Sequence, residues 1–201
     1  DMALSPDGIK MAVSYMRVNG NKISTHIAFY NFGSAGQMEL NNQVGELNVD
    51  DVLAPQIFFC DNSTAVAVRT DGFTVFSGSQ SPKEKKTVKF DQEIISTFHD
   101  GNRIGFVFDG GDSGHKYLMK VYNTGGKNTM QKYFDLQYNS ITLQKDKIVL
   151  FNEKEFAIYK LNGQKTFQGK YRKPIQNVLS IRGFRKYMVI TEDSADLIRL
   201  G

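Results

Sequence analysis

Asp1–Tyr15 reads DMALSPDGIKMAVSY, and this stretch decides the fold. A short apolar segment ends at Leu4, a Ser-Pro-Asp-Gly turn follows, and a second alternating segment begins at Lys10. Alternation bounded by turn residues is the signature of a strand. The same grammar returns four times: PQIFFCDNSTAVAVRTDG from Pro55, STFHDGNRIGFVFDGG from Ser96, NSITLQKDKIVLFNEK from Asn139 and VLSIRGFRKYMVITEDS from Val178. Turn anchors fall at Asp7, Asp61, Asp100, Asp146 and Gly183. Their mean spacing is about 44 residues, the length of one four-stranded propeller blade.

The pattern therefore predicts an all-β protein, a β-propeller of four-stranded antiparallel blades. Approximate blades run over 1–50, 51–93, 94–135, 136–174 and 175–201. The second strand of each unit (MAVSY, AVAV, IGFVF, IVLF, YMVI) is the most apolar, so it belongs in the middle of a blade with both faces packed. Hairpin turns are expected at Asn19-Gly20, Asp71-Gly72 and Asn162-Gly163. Fourth strands are expected within Gln37–Val49, then at Thr87–Phe90, Met130–Phe134 and Lys165–Lys170. The last unit offers three strands, Val178–Arg182, Tyr187–Thr191 and Leu197–Leu200. The expectation is thus one propeller domain, or the C-terminal part of a larger one, whose first and last blades each leave a face uncovered.

At 201 residues with 40% hydrophobic content the chain is long enough to bury a core. The absence of Trp removes the Trp-Asp hallmark of many propellers. A single cysteine, Cys60, excludes an intrachain disulfide, and at the end of IFFC it reads as a small buried hydrophobe. No apolar run is long enough to span a bilayer, and no signal peptide is visible.

No residue set forms a catalytic or metal signature, and no cofactor is expected. Gly111-Asp112-Ser113-Gly114-His115 brushes against the GDSGG nucleophile motif of chymotrypsin-like proteases, but His115 replaces the last Gly. A triad also needs a base and a carboxylate behind the Ser. The stretch reads as a Gly-rich turn. Asp100, Asp109 and Asp112 lack the alternating oxygen ligands of a calcium loop and read as turn residues. His26, His99 and His115 have no paired spacing that would suit zinc.

Charge is the one feature above background. Between Lys160 and Lys186 there are eight cations and no Asp or Glu. Lys170, Arg172, Lys173, Arg182, Arg185 and Lys186 form a candidate anion-binding patch, expected on an outer rim or loop face. Such a single-sign field attracts polyanions or an anionic surface. Nucleic acid is disfavoured because no reading motif accompanies the charge. Lys83–Lys89 (KEKKTVK) reads as an outer strand whose lysines keep its edge from pairing.

LSPDGIKMAVSY resembles the strand-turn-strand of the TolB and WD40-like propeller repeats. Over nearly its full length the chain also resembles an uncharacterised family of Gram-positive bacteria, domain of unknown function 5711. MALSPDGIKMAVSY, ISTHIAFYNFGSAGQ and PQIFF carry that likeness. The resemblance implies a propeller tethered outside the cell by an N-terminal membrane helix that these 201 residues do not contain. It supplies no catalytic residues.

The leading expectation is a non-enzymatic binding or scaffolding propeller at the bacterial cell envelope, with a protein or an anionic envelope polymer as partner. The alternatives are a hydrolase or lyase using central-channel residues and a cytosolic WD40-like interaction module.

Overall fold

The computed structural model describes residues 1–33, 42–181 and 186–200. Among them are nineteen strands and no α-helix, with one 3-10 turn at Gly111–Ser113. The strands form five antiparallel sheets, each built from strands consecutive in the chain.

The first sheet contains β1 (Met2–Leu4), β2 (Lys10–Asn19), β3 (Lys22–Asn31) and β4 (Gln43–Asp50). The second contains β5 (Gln56–Phe59), β6 (Thr64–Arg69), β7 (Gly72–Ser77) and β8 (Lys83–Lys89). The third contains β9 (Ser96–Asp100), β10 (Arg103–Asp109), β11 (Tyr117–Asn123) and β12 (Asn128–Phe134). The fourth contains β13 (Ser140–Gln144), β14 (Lys147–Phe151), β15 (Glu155–Lys160) and β16 (Lys165–Lys170). The fifth has only β17 (Ile175–Ser180), β18 (Lys186–Thr191) and β19 (Ala195–Arg199).

Contacts divide the chain into two compact units. One holds Asp1–Ile94 with Gly101–Arg103 and Tyr122–Lys127. Its core lies between the first two sheets, where Ala12, Ile27 and Phe29 meet Ile57, Ala65, Ala67 and Phe76. The rings of Phe29 and Phe76 sit 4.9 Å apart. The other unit holds the remainder and has two cores. In one, Val107, Met119 and Val121 pack on Ile148, Leu150 and Tyr159. In the other, Val149, Phe151, Phe156 and Ile158 pack on Val178, Tyr187 and Val189.

β14 shows why its sequence is a continuous apolar run. Ile148 and Leu150 point into one core, and Val149 and Phe151 into the next. A strand covered on both faces has no polar side to present. Each such side chain contributes about 1.5–3 kcal/mol, an upper figure because the unfolded chain is already partly collapsed.

The turns explain the anchors. Ser5 Oγ donates to Asp7 Oδ1 (2.5 Å), and the Ile9 amide donates to the same oxygen (3.1 Å). Asp61 repeats the device, accepting from the amide and hydroxyl of Ser63.

Two hairpins differ from expectation by one residue. Asn19 pairs with Lys22, so the first loop is Gly20-Asn21, with Gly20 at φ +61° in the position glycine takes in a type II′ turn. Arg69 pairs with Gly72, so the second loop is Thr70-Asp71. A Cβ on Gly72 would lie 2.0 Å from the Val88 carbonyl oxygen, which makes glycine obligatory inside the strand rather than in the loop. β8 is the Lys83–Lys89 outer strand read from the sequence, and it starts four residues before the Thr87–Phe90 stretch because its exposed lysines pair along β7 as well as its apolar end does. Gly183, Arg182 and the beginning of the Gln37–Val49 stretch lie outside the described residues.

Candidate binding cleft and the basic segment

The basic segment is not the all-cationic field that the linear sequence suggests. Lys170 ends β16 directly across from Glu155 of β15. Arg172 and Lys173 are exposed in the connection between β16 and β17. Tyr171 OH donates to Asp196 Oδ2 (2.5 Å), and Lys173 Nζ reaches Ser194 Oγ at 3.5 Å. The Tyr171 hydroxyl holds the Asp196 carboxyl below its usual range, with Ser194 and the Lys173 charge adding to it, while the carboxylate pushes the Tyr171 phenol up. Lys186, half-buried, starts β18 opposite Arg199. Arg182 and Arg185 lie outside the described residues. Tertiary structure thus sets two carboxylates from outside the segment against it.

A cleft of about 540 Å³ lies beside it, lined by β12 and the residues after it, by β15 and β16, and by His115 and Lys116. His115 Nδ1 is 2.9 Å from Asp135 Oδ2. The Lys116 amide donates to the other oxygen, Oδ1, at 3.0 Å. Both donors favour the ionised carboxylate, and they hold the Asp135 carboxyl below its usual range, the His115 bond contributing most. The His115 ring also stacks on Tyr133, 5.8 Å away and 18° from parallel.

Lys132 and Lys165 bring further positive charge to the lining, and Glu155 a second carboxylate. Lys165 Nζ donates to Gln168 Oε1 at 2.8 Å. Beneath lies an apolar floor. Phe134 contacts Tyr117, Tyr138 and Tyr159, with ring centroids 5.1, 5.8 and 6.4 Å away. Burial pushes the Tyr159 phenol up, so it stays neutral. A second groove, of about 560 Å³, runs along the solvent side of β16 and shares Glu155, Lys165 and Gln168 with the cleft. The arrangement presents a polarised imidazole, ammonium groups, carboxylates and an aromatic wall, which is recognition chemistry.

Residues singled out by motif are held in structural hydrogen bonds. Ser113 Oγ accepts the His115 amide (3.2 Å). Asp109 Oδ1 accepts the Gly111 amide (2.7 Å), and Asp100 Oδ2 the Lys145 amide (2.7 Å). His26 is buried, its Nδ1 2.5 Å from Asn48 Oδ1. Among the described residues no cluster of His, Cys, Asp or Glu is gathered for a metal. Cys60 is half-buried rather than fully enclosed, and burial with the Asp61 charge pushes its thiol up to about 12.

Sequence reasoning missed the His115–Asp135 pair. A signal existed: the turn around Gly125-Gly126 folds β11 onto β12, which returns Asp135 to the start of β11.

Five sheets of three or four sequential antiparallel strands, with apolar central strands, define a β-propeller repeat protein of the WD40-like kind. Solved propellers share the fold. Sqt1 from Chaetomium thermophilum matches with a TM-score of 0.64 at 11% identity, over 94% of this chain and 54% of that one. BBS1N in complex with ARL6DN matches at 0.54 and 9% identity, over 88% and 60%. BamB from Moraxella catarrhalis matches at 0.52 and 9%, over 99% and 72%. The chain spans between about half and three quarters of these structures. By sequence it belongs to the family of unknown function DUF5711, whose model matches residues 1–200. No curated protein matches it. Among the described residues no helix is long and apolar enough to cross a membrane.

Proposed function

We propose that this chain is a non-enzymatic binding or scaffolding module of the bacterial cell envelope, and that it docks a segment of a partner protein in the His115–Asp135 cleft. The observation that carries the reading is the cleft: about 540 Å³ with charges of both signs over an aromatic floor. Such a mixture suits a peptide, whose backbone and side chains need donors, acceptors and an apolar shelf together. The solved BBS1N propeller, held in complex with ARL6DN, is an instance of this fold engaging a protein. Placement at the envelope, outside the membrane and tethered by an N-terminal helix, rests on the resemblance drawn from the sequence.

The basic segment is the lesser surface. Lys170, Arg172, Lys173, Arg182, Arg185 and Lys186 remain the candidate contact for an anionic envelope polymer, but Glu155 and Asp196 reduce its field. Retention on a polyphosphate matrix is expected to be weak and abolished by physiological salt, because exposed charges are screened within about 8–10 Å.

The test is peptide display against the folded chain. Selected peptides are expected to lose binding by about tenfold or more with Lys132→Glu/Lys165→Glu and to keep it with Lys173→Ala. Selection of peptides indifferent to both cleft substitutions would overturn the assignment of the site. Surface proteolysis of intact host cells checks the envelope placement independently: an untouched chain removes it.

A further inference from the structure

β16 is the outer strand of the fourth sheet, paired with β15 on one side only. Its register shows which main-chain groups stay open. The Tyr171 amide donates to the Lys154 carbonyl at 2.8 Å, just past the end of the strand. In an antiparallel ladder, hydrogen-bonded and non-bonded pairs alternate. Gly169↔Phe156 and Phe167↔Ile158 are therefore bonded pairs, and Lys170↔Glu155 and Gln168↔Ala157 are not. Gln168 and Lys170 thus turn both N–H and C=O away from β15, towards the open edge. Among the described residues no strand lies there to meet them. The groove of about 560 Å³ follows this edge. Gln168 sits across from Ala157, which packs in the core shared with the third sheet; Phe167 and Gly169 sit across from Ile158 and Phe156, which pack in the core shared with the fifth. Every residue from Lys165 to Lys170 nevertheless lines the groove, so it tracks the main chain rather than one face of the strand.

We propose that the partner segment binds by strand addition: an extended, acidic stretch of its chain pairs with β16 as a fifth strand and sends side chains into the cleft. The inference rests on the cleft reading above and specifies how the segment is held. Main-chain bonds to an open edge supply affinity, and pockets beside it supply selectivity. Here the groove shares Glu155, Lys165 and Gln168 with the cleft, so a strand on β16 lies at its rim. Six residues of β16 span roughly 20 Å, enough for a partner strand of ordinary length. Charge sets the partner's sign. The two linings hold Lys116, Lys132, Lys165 and Lys170 against Asp135 and Glu155. Asp135 is engaged by His115 and the Lys116 amide, and Glu155 lies across from Lys170, which leaves Lys132 and Lys165 without an acid among the lining residues. Charge also argues against a second copy: β16 has no acid, so pairing it with itself sets lysines beside lysines. The outer strand β8 differs. It carries lysines at four of seven positions, the pattern that guards an edge, whereas β16 keeps Thr-Phe-Gln-Gly between its terminal lysines.

Amide hydrogen exchange of the whole chain, followed by NMR, reads the edge directly. In the free chain Gln168 and Lys170 are expected to exchange fast, and Phe167, Gly169 and Tyr171 slowly. A display-selected peptide at saturation is expected to slow Gln168 and Lys170 by about tenfold or more. Gln168→Pro removes one outward donor and leaves the ladder to β15 intact, since proline is tolerated where a strand's N–H faces the open side. It is expected to weaken peptide binding by about tenfold more than Gln168→Ala, which removes side-chain contacts alone. Binding that leaves exchange at Gln168 and Lys170 fast overturns strand addition, as do equal losses with Pro and Ala. The cleft reading then still stands if Lys132→Glu/Lys165→Glu releases the same peptides, and falls if it does not. The exchange measurement needs no substitution, so it decides even where Gln168→Pro disturbs folding. Protection of both amides in the free chain that grows with chain concentration assigns the edge to a second copy and overturns the proposal.

Discussion

His115 and Asp135, twenty residues apart in the chain, are joined by a 2.9 Å contact between Nδ1 and Oδ2 at the mouth of the cleft. Their side chains are 47% and 58% exposed, so the pair is a surface feature and adds little to global stability. Its value is positional. It fixes the imidazole plane against Tyr133.

The pair sets a pH dependence with a definite sign. A carboxyl held below its unfolded value favours the folded arrangement above that value, and the benefit is lost as pH falls through the folded midpoint. Carbon-detected NMR titration is expected to place Asp135 below the ordinary aspartate range. His115→Ala is expected to move that midpoint upward and Lys132→Ala to leave it nearly in place. An Asp135 midpoint unmoved by His115→Ala would show that the bond does not form in solution.

Gly105 in β10 lies under the ring of Phe98 from β9. A Cβ at that position would fall 2.1 Å from the ring carbons Cε2 and Cζ. Phe98 is buried in the core with Val107 and Met119, so it has no free space to retreat into. Gly105→Ala is expected to destabilise the chain by about 1–3 kcal/mol through overpacking. Equilibrium unfolding in urea measures it, with Phe98→Leu/Gly105→Ala recovering part of the loss.

Arg69 is buried, and Asp71 holds it through two bonds, Nε to Oδ1 at 2.7 Å and Nη2 to Oδ2 at 2.9 Å. Removing the carboxylate strands a buried cation. Asp71→Ala is expected to cost roughly 2–3 kcal/mol, below the figure for a fully enclosed pair because Asp71 is itself part-exposed. Asp71→Ala/Arg69→Met, which removes both charges, is expected to be the more stable of the two variants by the same denaturant measurement.

The Cys60 thiol is protonated well above neutrality. Burial disfavours the thiolate, and a group raised in the folded state stabilises it below the unfolded value, about 8.5 for a free thiol. That contribution declines as pH climbs from there towards the folded value of about 12. Labelling with a thiol reagent at pH 8 is expected to be slow in the native chain and to accelerate by about a hundredfold or more in denaturant. Equal rates in both conditions would show the thiol to be accessible.

The sequence alone determined the local structure. The alternation in SPDGIKMAVSY, the Asp-anchored turns and the apolar runs AVAV, IGFVF and IVLF place the central strands, because turn chemistry and two-faced burial are written in consecutive residues, while β17 begins at Ile175, three residues before the expected Val178. Even the one-residue shifts at Gly20 and Gly72 concern glycines already marked as turn residues, and only their backbone neighbours decide between loop and strand. The tertiary structure decided everything that depends on residues far apart. It brought Asp135 to His115, and Asp196 to the segment between Lys160 and Lys186, which holds no acid of its own. It also left Leu4 and Leu197 uncovered while enclosing Leu150. A hydrophobic run records that a strand can be packed on both faces, but not what packs there. Electrostatic partners record nothing until the chain closes the distance, because a charge acts over ångströms of space and not over positions in a sequence.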